Sequence, residues 1–583
     1  MQIVIVKMMS REKVTQSIVK GLAKHPYLWS FVLCILIHPF FFGETENIPN
    51  NALWLETLMI IGIITAFGIY KYKSGDFSKF RLILFEVSAI TADWLSVNLY
   101  SQSQNKAIWH FAGGCVILFI LYYFADFKKY RTQLNALLII GLGFFLKLCY
   151  ILSTSVYTRQ HDVDTFGGDY GHAGYIEYLL FNRRLPDFDV RERWQFCHPP
   201  LHHIISAVWI DINENILLTG HDSARESLQT LTLFYSLCII ISAYKLFRHF
   251  QLDGTALYVP LMIVSFHSSF ILFSGSINND VLSVAFMMGA IVSTLEWYEK
   301  QTMKGILKIA LCTGLGMMTK ISAAMVALPV ALVFLCIFIK NIKTDWKKLI
   351  GQFVCFGIVC IPLGLWFGIR NYIKWKVPIT YVQEMDKGDL QYIGDQSFLG
   401  RITDFSTQQF NSPYEQFAYF DEIGNVQGYN EYNPLIALMK NALFGEYINE
   451  SNFETVPYMN TVSVIFFWLN AAIASFALIS MIMMCFKKCS AKLTEKLFLT
   501  SFYVVMMVSF YKTAADYPFT CTMNFRYITP TVVVGAVFIG LIIKTERKNK
   551  FFHKLIKAIL EVCTMLFAVC SELVYLTICY KFI

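Results

Sequence analysis

The 583-residue chain reads as an all-α, polytopic membrane protein. Three features carry that reading. Only 15% of the residues are charged, where a soluble chain carries about 25%. Hydrophobic residues make up 56% and the mean hydropathy is +0.49. The apolar residues fall in runs of about 17 to 25, the length that crosses a bilayer core as helix. Such runs leave no room for a large soluble catalytic domain, so any chemistry belongs in the loops or at the membrane surface.

Taken in order, candidate spans lie near 28–43, 53–70, 82–100, 107–124 and 134–153, then near 230–248, 255–275, 281–298, 304–319, 321–339 and 350–369. The last lie near 461–485, 496–512, 527–544 and 556–580, giving about fifteen. The first run follows a basic leader, but no small-residue cleavage site follows Phe41–Phe42, so it is expected to stay as the first helix. The loops alternate in charge. "KYKSGDFSKFR", "DFKKYRTQ", "KNIKTDWKK", "FKKCSAKLTEK" and "KTERKNKFFHK" fall on one side with the leader, and "GETENIPNN", "SQSQNK" and "GSINND" on the other. Lys and Arg concentrate in cytoplasmic loops, which predicts an inside N-terminus and an outside C-terminus. The net charge of +8 thus reports orientation and not nucleic-acid binding. Four segments follow: 1–132 as an N-terminal extension of four spans, 133–370 as a membrane core holding a first outer loop at 154–229, 371–460 as a second outer loop, and 461–583 as the C-terminal spans.

The first outer loop opens with "RQHDVDTFGGDYGHAGYIEYLL", a knot of carboxylates and imidazoles beside a span. "GHAGYIEYLLFN" and "HPPLHHIISAVWI" mix apolar and polar residues at helical spacing but are too short or too polar to span, so both are expected to lie along the interface. They would hold Asp162, Asp164, Asp169, His172 and His198 near the headgroups. Further polar residues recur at outer helix ends: Asn278, Asn279 and Asp280 in "SGSINNDVL", Lys320 in "GLGMMTKISA", Arg370 and Asn371 in "WFGIRNYIKWKVP", and Arg526 and Tyr527 in "TMNFRYITP". Ionisable residues at membrane depth are costly and usually face a cavity or a partner. Solvated loop charges and snorkelling anchors are the plain alternatives for any single one. An acid cluster and three cations on one face fit sugar transfer from a lipid-linked phosphate. A glycosidase needs two carboxylates because its leaving group must be protonated. A phosphate leaves as a stable anion, so one carboxylate and cations to hold the phosphate suffice. The second outer segment is rich in Tyr, Asn, Gln and Asp, which suits either carbohydrate binding or a plain lid, and "LFGEYI" reads as an interfacial turn returning the chain to the membrane. The fifteen cysteines are mostly scattered singly through apolar runs with no CxxC pair, and there is no Walker A loop, GxGxxG or zinc-protease motif.

In chain order, "RQHDVD", "GHAGYIEYL", "LPDFDVRERWQFCHPPLHH", "SGSINND", "MTKISA", "RNYIKWKVP" and "FRYITP" resemble the C-type glycosyltransferases, in the protein O-mannosyltransferase-like branch that includes bacterial lipid A aminoarabinose transferases. The resemblance covers roughly residues 134–545. It implies a GT-C fold, a polyprenyl-phosphate sugar donor, a lipid, glycan or protein acceptor, and a catalytic Asp in the first outer loop. That role is carried to Asp162, with Asp164 in reserve. His172, His198, Lys320, Arg370, Arg526, Tyr527, Asn279 and Asp280 are the expected donor-phosphate and substrate contacts. This branch generally uses no metal or other cofactor. His172, His198, His202 and His203 could form a divalent-metal site, since imidazoles with nearby carboxylates bind such ions, but His202 and His203 are adjacent, so on a helix they point about 100° apart and would rarely share an ion. Two departures stand out: four spans precede the core, and the acid motif reads Asp-Val-Asp where many mannosyltransferases have adjacent Asp-Glu. A transporter or lipid flippase is the rival class, but its ionisable residues would sit mid-span in repeated halves. The expected setting is a bacterial plasma membrane, with the active site exoplasmic.

Overall fold

The computed structural model describes residues 25–38, isolated positions between 65 and 87, 131–383, 385–388, 391–405, short pieces between 413 and 428, 431–453, 456, 458–545 and 550–581. The expected spans at 53–70, 82–100 and 107–124 lie outside these residues apart from the isolated positions. Among the described residues, eight helices are long and apolar enough to cross a membrane, and two bent pairs raise this to ten. The chain is multi-pass, as its composition predicts.

The helices, in order, are α1 (Pro26–Ile37), α2 (Arg131–Leu152), α3 (Gly171–Asn182), α4 (Leu201–Asn215), α5 (His221–Glu226), α6 (Leu228–His249), α7 (Thr255–Phe266), α8 (Ser268–Gly275), α9 (Asp280–Glu299) and α10 (Met303–Thr319). There follow α11 (Ala327–Asn341), α12 (Trp346–Trp375), α13 (Phe398–Thr403), α14 (Pro434–Phe444), α15 (Met459–Phe486), α16 (Leu493–Asp516), α17 (Pro530–Lys544) and α18 (Lys550–Lys581). α3 and α4 are the two short helices that the sequence predicts here, packed on each other, and α4 starts directly after Pro200. A two-stranded hairpin in the second outer segment, β1 (Tyr419–Phe420) with β2 (Val426–Gly428), is a small departure from an all-α chain. The expected span at 304–319 forms as α10, but at 17 residues it reaches roughly 26 Å, short of the bilayer core.

α17 is the axis of the bundle, buried along nearly its whole length against α7 and α15. α9, α10 and α12 pack in series beside it. The 255–275 span is broken at His267, whose backbone is extended, so α7 and α8 meet at 44°. A break frees carbonyls that hydrocarbon cannot satisfy. Lys147 of α2 supplies a donor, its Nζ lying 2.7 Å from the Ser265 carbonyl. Among the described residues, the basic stretches at 340–348, 486–496 and 544–545 gather at one end of the bundle, where Lys544 donates to the Phe250 and Gln251 carbonyls. The C-terminal ends of α2, α10, α12 and α16 and the N-terminal ends of α9, α15 and α17 therefore share the other end.

Candidate active site

Between α2 and α3 the loop is held by the helix it leads into. The first backbone N–H groups of a helix lack partners inside it. Here the His172 and Ala173 amides donate to the carbonyls of Asp162 and Val163, both at 2.9 Å. Gly171 makes this approach possible: its φ is +70, and a Cβ there would sit 2.3 Å from the Val163 oxygen. Asp162 and Asp164 both take left-handed backbone, φ 60 and 58, a region Asp tolerates better than most residues. The Asp162 carboxylate faces a cavity, and Asp164 is exposed outside it.

Three helix breaks converge on Asp162. Arg526 sits in the 3₁₀ turn before α17, where the Asn524 side chain accepts its backbone N–H at 2.9 Å. Asp280 is the first residue of α9, its amide bonded to the Asn278 side chain at 3.0 Å. Lys320 lies in extended backbone between α10 and the next 3₁₀ turn. Arg526 reaches Asp162 at 2.7 Å and Asp280 at 3.6 Å, and Lys320 pairs with Asp280. The Tyr527 hydroxyl accepts from Arg526 at 3.0 Å, and both cations lie 5.0 Å from its ring centre. Two carboxylates and two cations thus balance in a mostly buried ring. Burial works to raise the Asp162 carboxyl, but Arg526, with His161 and Lys320, outweighs it and holds the group below the usual carboxylate range. Asp162 is ionised at neutral pH.

The cavity beside this ring has a volume of about 1150 Å³. Its charged lining includes Asp162, Asp280, Lys320 and Arg526, with Glu446 and Asp386 further round and Tyr527 and His198 beside them, and its apolar part comes from spans, through Met287, Met325, Phe367, Met506 and Phe510. It is amphipathic.

The remaining predicted residues lie behind it. His172 is buried with its Nδ1 2.9 Å from His203 Nε2, stacked between His203 and His198. His202 Nε2 bonds the Ile277 carbonyl at 2.7 Å. Asn279 donates to the Thr319 carbonyl at 3.2 Å, tying α9 to α10. Arg370 is used on the protein itself: it donates to the Pro186 carbonyl and to Asn371, over the Trp375 ring. Cys197 and Cys521 both line the cavity and form no disulfide. Among the described residues, the one group of three metal-ligand side chains close together is His249, Glu299 and Glu495, at the opposite end of the bundle.

Burial pushes His198 and His202 down to about 4, and holds His172 and His203 well below their ordinary range. All are neutral in the folded protein, so they can donate hydrogen bonds but cannot act as cations. This has a consequence for stability. An unfolded histidine charges as pH falls through about 6.5. Stability is therefore complete above that value and is lost as pH falls toward 4, by about 1.4 kcal/mol per unit for each of His198 and His202. Melting temperature in detergent should drop between pH 7 and 5, and His202→Asn should flatten the slope. A melting temperature independent of pH would contradict the neutral cluster.

Three residues at the site were not expected from sequence. His161 Nδ1 lies 2.9 Å from Glu446, and the Tyr447 ring packs on His161 at 5.1 Å. All line the cavity. Glu446 and Tyr447 belong to "LFGEYI", read above as a simple return turn. Gly445, with φ +61, ends α14 and turns the chain so that Glu446 enters the site. Nothing local in the sequence marks this pairing, because Glu446 comes from the distant segment 371–460.

Residues 206–366 match the profile of the family described as dolichyl-phosphate-mannose-protein mannosyltransferase. The match bears out the family resemblance over that stretch, which contains Asp280 and Lys320 but neither Asp162 nor Arg526. Among solved structures, ArnT from Cupriavidus metallidurans, bound to undecaprenyl phosphate, aligns over 76% of this chain and 76% of its own at 10% identity, with a TM-score of 0.42. That likeness is too distant to assign any residue a role. No curated protein matches the chain in sequence.

Proposed function

We propose that this chain is a multi-pass membrane glycosyltransferase with the C-type fold, moving a sugar from a polyprenyl-phosphate carrier to a lipid, glycan or protein acceptor on the exoplasmic face. The observation that carries the reading is an ionised Asp162, held by Arg526, where a ring of charges meets an apolar hollow. A polyprenyl-phosphate sugar divides in the same way, into a charged head and a hydrocarbon tail. The family match over 206–366 supports the same class of donor.

In the proposed reaction the acceptor oxygen attacks the anomeric carbon and the bond from that carbon to the phosphate oxygen breaks. Its electron pair leaves on the polyprenyl phosphate, stable as an anion because its last proton has a pKa of about 6. The acceptor's proton goes to Asp162. One displacement of this kind inverts the anomeric carbon. Arg526 and Lys320, which both contact Asp280, are the groups to share the phosphate, with the Tyr527 hydroxyl beside them. His198, neutral and cavity-facing, is a hydrogen-bond donor to the head group. Arg370, Asn279 and His172 are assigned to holding the walls. No step calls for a cofactor. The outward orientation rests on the basic loops at the far end of the bundle, with a bacterial plasma membrane as the expected setting.

The test is turnover of polyprenyl-phosphate sugars by protein in nanodiscs, wild type against Asp162→Asn. The expected result is a fall of 10²-fold or more, on the order of a general-base loss, with donor binding retained. If wild type neither binds nor consumes any such donor with acceptors supplied, the transferase reading is lost and lipid-transport assays are the next measurement.

A further inference from the structure

We infer that His161 and Glu446 form a proton relay in this site: Asp162 draws the proton from the acceptor, and His161, held by Glu446, takes it onward. The inference rests on the transferase reading. Arg526 contacts Asp162 at 2.7 Å and opposes any lasting protonation of its carboxylate. A base so placed needs somewhere to pass the proton.

His161 is the next residue in the chain and is itself cavity-lining. Its Nδ1 is 2.9 Å from a Glu446 carboxylate that is nearly buried. A carboxylate on Nδ1 fixes the tautomer with hydrogen there and leaves Nε2 as an acceptor. Among the described residues Nε2 has no protein partner. Glu446 is fixed in turn, since its other oxygen accepts from Asn524, the residue that caps the Arg526 turn. The groups facing His161 are therefore Asp162, Glu446, Tyr447 and, beyond Asp162, Arg526. A small crevice of about 30 Å³ lies behind the pair, bounded by Arg159, Ser276, Asn524 and Arg526 together with Leu272, Phe273 and Phe444, and is large enough for a water.

The steps balance. The acceptor O–H breaks and its proton moves to Asp162 as the oxygen bonds the anomeric carbon. The same proton then passes, through a water in the cavity that both residues line, to His161 Nε2, regenerating the Asp162 carboxylate beside Arg526, and leaves to solvent. Glu446 acts only through His161 and is a positioning residue.

The experiment compares wild type, His161→Gln, His161→Ala and Glu446→Gln in nanodiscs, with kcat and donor KM measured separately. A relay predicts kcat lower by about 10- to 100-fold, a donor KM within about threefold, and partial rescue of His161→Ala by added imidazole. Glu446→Asp, which keeps a carboxylate, should retain more kcat than Glu446→Gln. Unchanged kcat in both Gln variants of an active enzyme overturns the relay and leaves the transferase reading intact. So does a loss that imidazole cannot rescue and that KM follows in step, the mark of a structural role. A wild type without any transfer removes both.

Discussion

Arg526→Met is expected to lower sugar transfer by about 10² to 10³-fold in kcat, the scale of losing a preorganised charge contact at a reacting centre. The size of the effect comes from geometry. One guanidinium serves two carboxylates from different helix breaks, Asp162 at 2.7 Å and Asp280 at 3.6 Å. Without it, two like charges face one cavity with Lys320 alone between them, and such a pair resists joint ionisation. Asp162 would bind a proton more readily and lose its fixed orientation, while the donor phosphate would lose its larger partner. Arg526→Lys should recover only part of the activity, because an ammonium is a point charge and cannot fork to both acids. Transfer and donor binding measured together in nanodiscs decide the matter. Near-normal kcat in the Met variant would mean that the ring is a structural clasp.

Lys440→Met should give the largest loss of stability, about 3 kcal/mol at pH 8, the low end of breaking a buried ion pair. Lys440 of α14 and Glu431 just before it pair with both side chains 1% exposed. Burial pushes the Glu431 carboxyl upward, and Lys440 pulls the other way. Take away the lysine and only burial remains, so the folded state prefers a protonated Glu431. Stability of the variant is then fully present below the ordinary carboxyl range and is lost as pH rises. The deficit against wild type should shrink near pH 5, and Glu431→Leu combined with Lys440→Met should restore most of it. Thermal unfolding at the two pH values reads both effects. Because α14 leads through Gly445 to Glu446, the unfolding should also appear as a loss of transfer, measurable on the same samples.

How far the sequence reaches can be followed residue by residue. Asp162 and His198 stand out in the acid–imidazole knot and through the family resemblance, Asp280, Lys320, Arg526 and Tyr527 because a polar group beside an apolar run is costly, and the cavity gathers all of them. The same reasoning picked Arg370, Asn279 and His172, and there the cost is met internally, by the Pro186 carbonyl, the Thr319 carbonyl and His203. A costly group needs a partner, and sequence cannot tell a substrate from a carbonyl. Asp164 lies outside the cavity for another reason: two residues from Asp162 in a turn, it is exposed on the other side.

The described spans, the two short helices at 171–182 and 201–215 and the gathering of polar residues at one end were determined by the sequence itself. Bilayer thickness and loop charge act on local stretches of chain, and local stretches are legible. Only the tertiary structure decided that Arg526, 364 positions from Asp162, is its partner. It alone brought Glu446 of the second outer segment to His161 of the first, and turned His172 away from the cavity. Those choices depend on which helix breaks meet after α17 is buried at the centre. Packing between distant segments sets them, and no periodicity or spacing in the chain records it.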